Sequence, residues 1–291
     1  PVLDFVDNIL LEEDGSAIVI LPAPDIDSND LIFSIQGGDN VTITLDGSEV
    51  TFSAPANFNG SEVFTIIVTD GELIDEQILI VMVSEINDAP VATTGLTGTT
   101  NEDQSIVVTL SGSDIDGDNL IFSLDSDATN GSVALNGALA TYTPDANFNG
   151  SDSFTFSVSD GEASASADVS LTVNAVNDAP VLASVSNVSF DEDGSGSTSL
   201  SAADVDGDDL TFSVTGGTLI TATLDGSDVS FSAPADYNGS EEFSASVTDS
   251  EYTDSQSFIV TVLAVNDAPV ATTGIIGTTD EDQSVVITLS G

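Results

Sequence analysis

The chain has 291 residues, of which 50 are Asp or Glu and none is Lys, Arg or His, so every formal charge is negative and the total at pH 7 is −50. That balance excludes nucleic acid as a partner, because phosphate is held by Lys and Arg, and it excludes an anionic membrane surface unless a multivalent cation bridges the two. With 40% apolar residues and a positive mean hydropathy the chain lacks the low hydrophobicity of disordered acidic segments, and its length is enough for more than one core.

In chain order, the first residues, PVLDFVDN, carry no basic or apolar leader pattern, so any targeting signal is expected to lie outside this segment or to be absent. The longest strongly apolar run, ILIVMV at 78–83, is far short of the roughly twenty residues of a membrane helix, so no direct membrane insertion is expected. Residues 87–91 read NDAPV, and so do 177–181 and 266–270. Counting each Pro-Val as a start gives units at 1, 90, 180 and 269. A fixed period of this kind marks tandem modules. The units alternate: 1 resembles 180, whereas 90–112 and 269–291 are identical at 18 of 23 positions. This predicts 1–89 (type A), 90–179 (type B), 180–268 (type A), and 269–291 as the incomplete start of a fourth, type B unit. Twenty-three residues cannot bury a core alone, so the chain reads as a window on a longer array.

Within the second unit, SIVVTL (105–110), NLIFSL (119–124), GSVAL (131–135), LATYT (139–143), SFTFSV (153–158) and ADVSLTV (167–173) alternate or run apolar and are rich in Val, Ile, Thr and Phe. These are strand patterns. Asn136-Gly137, with Asp46-Gly47 and Asp225-Gly226 in the neighbouring units, predicts hairpins. No stretch has helical periodicity. The expected fold class is all-β, a tandem array of seven-stranded Greek-key β-sandwiches placed end to end. The repeated F/Y-N-G-S at Phe58, Phe148 and Tyr237 reads as a tight turn anchored by its aromatic in the core rather than as a sugar platform.

The acids recur at fixed places. Each unit opens with Glu-Asp, at Glu13, Glu102 and Glu192, and carries Asp-x-Asp at Asp25 and Asp27, Asp114 and Asp116, Asp204 and Asp206. Asp-x-Glu follows at Asp70 and Glu72, Asp160 and Glu162, Asp249 and Glu251, and the unit closes with Asn87-Asp88, Asn177-Asp178 or Asn266-Asp267. Calcium takes six to eight hard oxygen ligands, which such clusters supply, while zinc and copper want His or Cys, both absent. Asp118 and Asp208 extend the loops to DIDGD and DVDGD, but an EF-hand is not expected, since the first unit has Asn29 there and helices are lacking.

These four motifs in this order resemble cadherin repeats and, more closely, the bacterial cadherin-like tandem repeats of giant secreted adhesins and matrix proteins; the resemblance covers essentially the whole chain. It implies cadherin/Ig-like sandwiches sharing calcium at each junction. The first junction would use Glu13, Asp70, Glu72, Asn87 and Asp88 with Asp114 and Asp116. The second would use Glu102, Asp160, Glu162, Asn177 and Asp178 with Asp204 and Asp206. The third would use Glu192, Asp249, Glu251, Asn266 and Asp267. The linker departs from the cadherin pattern in lacking a further Asn before Ala-Pro, and no counterpart of a cadherin's late ligand Asp in the partner repeat is evident from the motif order.

Without His, Cys or Lys, imidazole, thiol and Schiff-base chemistry are absent, and acids repeated in every unit fit architecture better than one catalytic cleft. The expected role is that of a non-enzymatic, calcium-rigidified extender of an extracellular bacterial adhesin or surface fibre. Two alternatives are a self-assembling matrix or sheath filament in which identical chains pair, and a carbohydrate-binding region of a secreted enzyme. The expected partners are calcium ions and adjacent repeats.

Overall fold

The computed structural model describes all residues except 28, 29, 272, 273, 275, 290 and 291, so Asn29 and parts of the predicted fourth unit lie outside the described residues. Residues 1–175 form one compact unit and 176–291 a second. Among the described residues every regular element is a strand.

The first sandwich holds β1 (Ile9–Glu12), β2 (Ser16–Ile20), β3 (Ile32–Gly37), β4 (Thr42–Asp46), β5 (Glu49–Ser53), β6 (Gly60–Thr69) and β7 (Ile74–Ser84). The next holds β8 (Val91–Ala92), β9 (Leu96–Asn101), β10 (Ile106–Thr109), β11 (Gly112–Ser113), β12 (Ile121–Ser126), β13 (Gly131–Asn136), β14 (Leu139–Pro144), β15 (Gly150–Ser159) and β16 (Ser164–Asn174). In the third are β17 (Val181–Leu182), β18 (Val188–Asp191), β19 (Ser195–Ser199), β20 (Ala202–Ala203), β21 (Thr211–Gly216), β22 (Thr221–Asp225), β23 (Asp228–Ser232), β24 (Gly239–Thr248) and β25 (Thr253–Leu263).

Each sandwich pairs a four-stranded sheet with a three-stranded one: β1-β7-β6-β3 over β2-β5-β4, β9-β16-β15-β12 over β10-β14-β13, and β18-β25-β24-β21 over β19-β23-β22. All pairings are antiparallel except that of the opening strand, β1, β9 or β18, which runs parallel to the closing strand. First and last strands of a module therefore lie side by side, which brings the residues just after the opening strand next to the linker that follows the closing one. That register, more than any local feature, builds the site described below.

Alternation explains the cores. On β6, Phe64, Ile66 and Val68 point inward and are fully buried, facing Val50 and Phe52 of β5; the same positions recur as Phe154, Phe156 and Val158, and as Phe243, Ala245 and Val247. Each such side chain removed from water contributes on the order of 2 kcal/mol. Phe58, Phe148 and Tyr237 pack against their module's core, as the turn reading expects. The left-handed residue of that turn is the one before the aromatic, Asn57, Asn147 or Asp236.

All six strands predicted in the second module are present. The opening strand β9, LTGTTN, carries no apolar alternation and is visible only in the structure. Its Gly98 explains why: a Cβ there would lie 2.9 Å from Leu171 Cδ2 and 3.0 Å from Val108 Cγ2, so the strand lies close against the core with little side chain of its own. The hairpins form, but one residue later than the dipeptides suggest. Asn136 pairs with Leu139 as the last strand residue, and Gly137, at φ 59°, is the first of the two loop residues. Asp46 and Asp225 behave alike. Positive φ at the first loop position is the type II′ arrangement, which asks for Gly there and places no demand on the residue before it.

Candidate metal centre

The Glu-Asp motif is a turn that sends one acid inward. In the first module Gly15 donates its N–H to the Glu12 carbonyl at 3.1 Å, and Asp14, third in the turn, has φ 59°. Asp tolerates this left-handed position better than most residues. The same turn recurs with Asp103 at φ 59°, Asp193 at 63° and Asp282 at 62°. Its second residue is buried: Glu13 is 3% exposed, Glu102 4% and Glu192 8%. Glu13 and Glu192 each accept the N–H of the residue before the linker Asn, from Ile86 and Val265, both at 2.6 Å.

At the first linker, carboxylate oxygens of Glu13, Asp88 and Asp116 lie within 4.8 Å of one another, and those of Asp114, Asp116 and Asp118 form a second group of the same size, so Asp116 belongs to both. The Asp88 N–H donates to Asp116 Oδ2 at 2.7 Å. Asn87 Nδ2 donates to the Asp88 carbonyl at 3.1 Å and to Asp160 Oδ2 at 3.0 Å. Asp114 Oδ1 accepts the N–H groups of Asp116, Gly117 and Asp118, which fixes the loop. Glu13 Oε2 and Asp114 Oδ2 are buried and have no hydrogen-bond partner. Burial, followed by the charges of Asp116 and Glu13, raises the Asp88 carboxyl above its ordinary range.

The second linker repeats this set as far as its own unit extends. Asn177 Nδ2 donates to Asp249 Oδ2 at 2.9 Å, Asp178 N–H donates to Asp206 Oδ2 at 2.7 Å, and Asp204, Asp206 and Asp208 form a close group with Asp204 Oδ2 buried and unpartnered. Asp208 is raised by burial and by its neighbours Asp204 and Asp206. After the third module Asp267 groups with Asp193 and Asp236, all exposed, and is raised by burial first and then by those charges and Glu192. Asn266 Nδ2 turns back to the Asp267 carbonyl at 3.2 Å.

One grouping read from motif order is corrected. Asp70 and Glu72 do not join Glu13, Asn87 and Asp88. Thr69 closes β6 opposite Ile32 and Ile74, whereas Gly60, at the other end, pairs with Val83 beside the linker. Nine strand residues at about 3.3 Å each separate the two poles by roughly 30 Å. Asp70 instead shares the opening pole with Asp25: their Oδ2 atoms lie 3.8 and 2.7 Å from the nitrogen of Pro1. By the same geometry Asp160 serves the linker before its module, meeting Asn87, and Asp249 meets Asn177. The Oδ1 atoms of Asp160 and Asp249 hold the turn that follows, accepting two N–H bonds each, which with the Asn keeps both carboxyls below their ordinary range. Glu72, Glu162 and Glu251 are exposed and contribute their backbone N–H to that turn. Asp27 likewise gives its N–H to Asp25 Oδ1.

A further recurrent acid escaped the sequence reading. Glu62 accepts the N–H groups of Asp39, Asn40 and Val41 and the Asn40 amide. Glu241 accepts those of Thr218, Leu219 and Ile220 and the Thr218 hydroxyl, which holds it down to about 2. In the second module the acid is Asp152, one methylene shorter. It takes the N–H groups of Thr129 and Asn130 and the hydroxyl of Tyr142 at 3.0 Å. Tyr142 stands where the others have Phe52 and Phe231, and Gly131 where they have Val41 and Ile220; a Cβ on Gly131 would meet the tyrosine ring at 2.6 Å. The trio Val-Phe-Glu has become Gly-Tyr-Asp, with a hydroxyl filling the gap left by the shorter acid. The signal was present in the sequence, as an acid directly after each F/Y-N-G-S, but its change from Glu to Asp disguised it.

The two kinds of acid differ in what they lack. Glu62, Asp152 and Glu241 are saturated by N–H and O–H donors. The linker groups hold bare oxygens facing other carboxylates, and two carboxylates 4 Å apart repel by about 1 kcal/mol in water and about 4 at an effective dielectric of 20. An all-oxygen set with buried, unpartnered atoms fits a hard cation of calcium's type.

A family model described as a bacterial Ig domain matches residues 1–81, 87–172 and 177–261. The chain belongs to this family. Its three bacterial Ig domains are similar in fold to cadherin domains 1–4 of protocadherin gamma B7, at 15% identity over 90% of this chain and 76% of that one, TM-score 0.54. They are similar also to mouse protocadherin-24 EC1-3, at 14% identity over 89% and 98%, TM-score 0.51. An endo-fucoidan hydrolase of glycoside hydrolase family 107 aligns at 18% identity with TM-score 0.30; the chain covers 44% of that protein's length, less than half. No curated protein matches the sequence.

Proposed function

We propose that these bacterial Ig domains form a calcium-rigidified extender of an extracellular bacterial adhesin or surface fibre, with modules 1–89, 90–179 and 180–268 and ion sites at the Asn-Asp-Ala-Pro linkers. The observation that carries this reading is Glu13 Oε2. It is a buried carboxylate oxygen without a hydrogen-bond partner, and it sits among acids from the first module, the linker and the second module. Without a cation those charges repel; with one, the repulsion becomes coordination and the linker loses freedom. Glu13, Asn87, Asp88, Asp114, Asp116 and Asp160 would hold the ion or ions there, with Asn177, Asp178, Asp204, Asp206 and Asp249 contributing at the next linker. The cadherin-like fold and a sequence without His, Cys or Lys favour a structural over an enzymatic role. Among the described residues no helix is long and apolar enough to cross a membrane. Extracellular calcium modules bind at about 10⁻⁴–10⁻³ M, a range that fills outside cells and empties within them.

Small-angle X-ray scattering in chelator and in a few millimolar calcium tests this. The expected result is a maximum dimension that becomes well defined, near three module lengths of about 35–40 Å each, only with calcium. An unchanged profile would leave the acids as a solubilising surface.

A further inference from the structure

The first module differs from the other two on the outer face of its four-stranded sheet. There Leu10, Val63, Ile78 and Met82 are 68%, 55%, 67% and 42% exposed, with Ile67 and Ile80 half-buried between them. The register makes them neighbours: Leu10 pairs with Met82, Val63 with Ile80, and Thr65 with Ile78. At the same positions the second module has Thr99, Ser153, Asp168, Thr172, Ser157 and Ser170, and the third keeps a single aliphatic, Ile259. With Ile32 and Ile74 at its far end, the face exposes on the order of 600 Å² of aliphatic surface, at the upper limit for a soluble monomer's largest patch.

We propose that this face is a self-association surface, packing against the same face of a second copy of the chain. Two such faces together bury on the order of 1,200 Å², enough for a specific interface. The outward positions of the four strands carry only two acids, Glu12 and Glu76, near opposite ends. In a chain of charge −50 this is where an identical, equally negative chain meets least repulsion. The outer face of a sheet suits a second sheet at the usual spacing of about 10 Å, and a two-fold axis through it matches aliphatic to aliphatic. The inference does not depend on calcium and concerns the first module alone, so it does not stand or fall with the linker sites.

Sedimentation equilibrium of the 291-residue chain in chelator, at low and at raised sodium chloride, tests it. The expected result is a monomer–dimer equilibrium that tightens with salt, because the opposing charges are screened while the apolar contact is not. A basic partner would give the opposite salt response, and its capture instead of self-association overturns the proposal. The variant L10T/V63S/I78D/I80S/M82T installs residues that the second module already carries at these positions of the same fold. It should weaken association by about a hundredfold or more, with an unchanged circular dichroism spectrum. The pair I78D/M82T serves if the five changes together impair folding, and Ile259→Ser should leave association untouched. A chain that stays monomeric up to hundreds of micromolar, or a dimer of equal strength in the exchanged variant, overturns the proposal.

Discussion

Glu13 and Glu62 are both buried glutamates of one sandwich, 3% and 8% exposed, and their surroundings are opposite. Glu62 has both oxygens filled by four N–H donors from one loop, so its charge is compensated from within and its carboxyl is held low. Glu13 has one oxygen filled and one bare, with Asp88 and Asp116 facing it. Recurrence alone does not distinguish them, since both return in every module. The donor count does: an acid saturated by backbone holds a loop, and on the proposed reading an acid left short amid other acids binds a cation.

The largest expected effect separates the two by sign. Glu62→Ala strands three backbone N–H groups and should cost about 3 kcal/mol of stability, equally in calcium and in chelator. Asp116→Ala should cost about 1 kcal/mol or less in chelator, where losing the acceptor of the Asp88 N–H is offset by removing a repelling charge, and should abolish the stabilisation that calcium gives. Thermal melts of both variants in both conditions decide this; a calcium-dependent loss for Glu62→Ala, or a calcium-independent one of similar size for Asp116→Ala, breaks the distinction.

Acid sharpens it. Glu241 titrates at about 2 when folded against 4.5 unperturbed, so its contribution is present above 4.5 and is lost as the pH falls through 2. Asp88 is shifted the other way from 3.8, so the strain of its charge is absent below 3.8 and returns as the pH rises through its raised value. In chelator the melting temperature should therefore hold or rise from pH 7 down to about 4.5 and fall only below that. The advantage conferred by calcium should shrink over the same acid range as protons displace the ion. A chelated protein that already loses stability between pH 7 and 5 would contradict the assignment.

The smallest effect lies within the saturated class. Tyr142→Phe removes the hydroxyl that completes the Asp152 set and should cost about 1 kcal/mol. The double variant Y142F/D152E lengthens the acid to that of the first module and should recover most of that loss, whereas Gly131→Val should clash with the Thr143 carbonyl and the ring, which a Cβ there would meet at 2.5 and 2.6 Å. Equal melts for Tyr142→Phe and the double variant would mean that the two positions are not coupled.

Much of this was legible in the sequence. Strands announced themselves through period-two apolar runs, and the acidic motifs through their return at fixed offsets. β9 stayed hidden because a parallel edge strand resting on the core through Gly98 needs no apolar alternation. The pole to which Asp70, Asp160 and Asp249 belong could not be read from motif order, because each follows a ten-residue strand that carries the chain from one end of the module to the other. Placing them takes the register, Gly60 opposite Val83 and Thr69 opposite Ile74. The role of Glu62 depends on the N–H groups of a loop more than twenty residues away, which leaves no mark on its own neighbours.

Calorimetric titration with calcium of the unaltered chain, Asp116→Ala and Glu62→Gln bears most directly on the central claim. The account predicts binding in the range of about 10⁻⁴–10⁻³ M, unchanged in Glu62→Gln and lost from the first linker in Asp116→Ala. No binding by the unaltered chain at several millimolar calcium, or equal binding by Asp116→Ala, would contradict it.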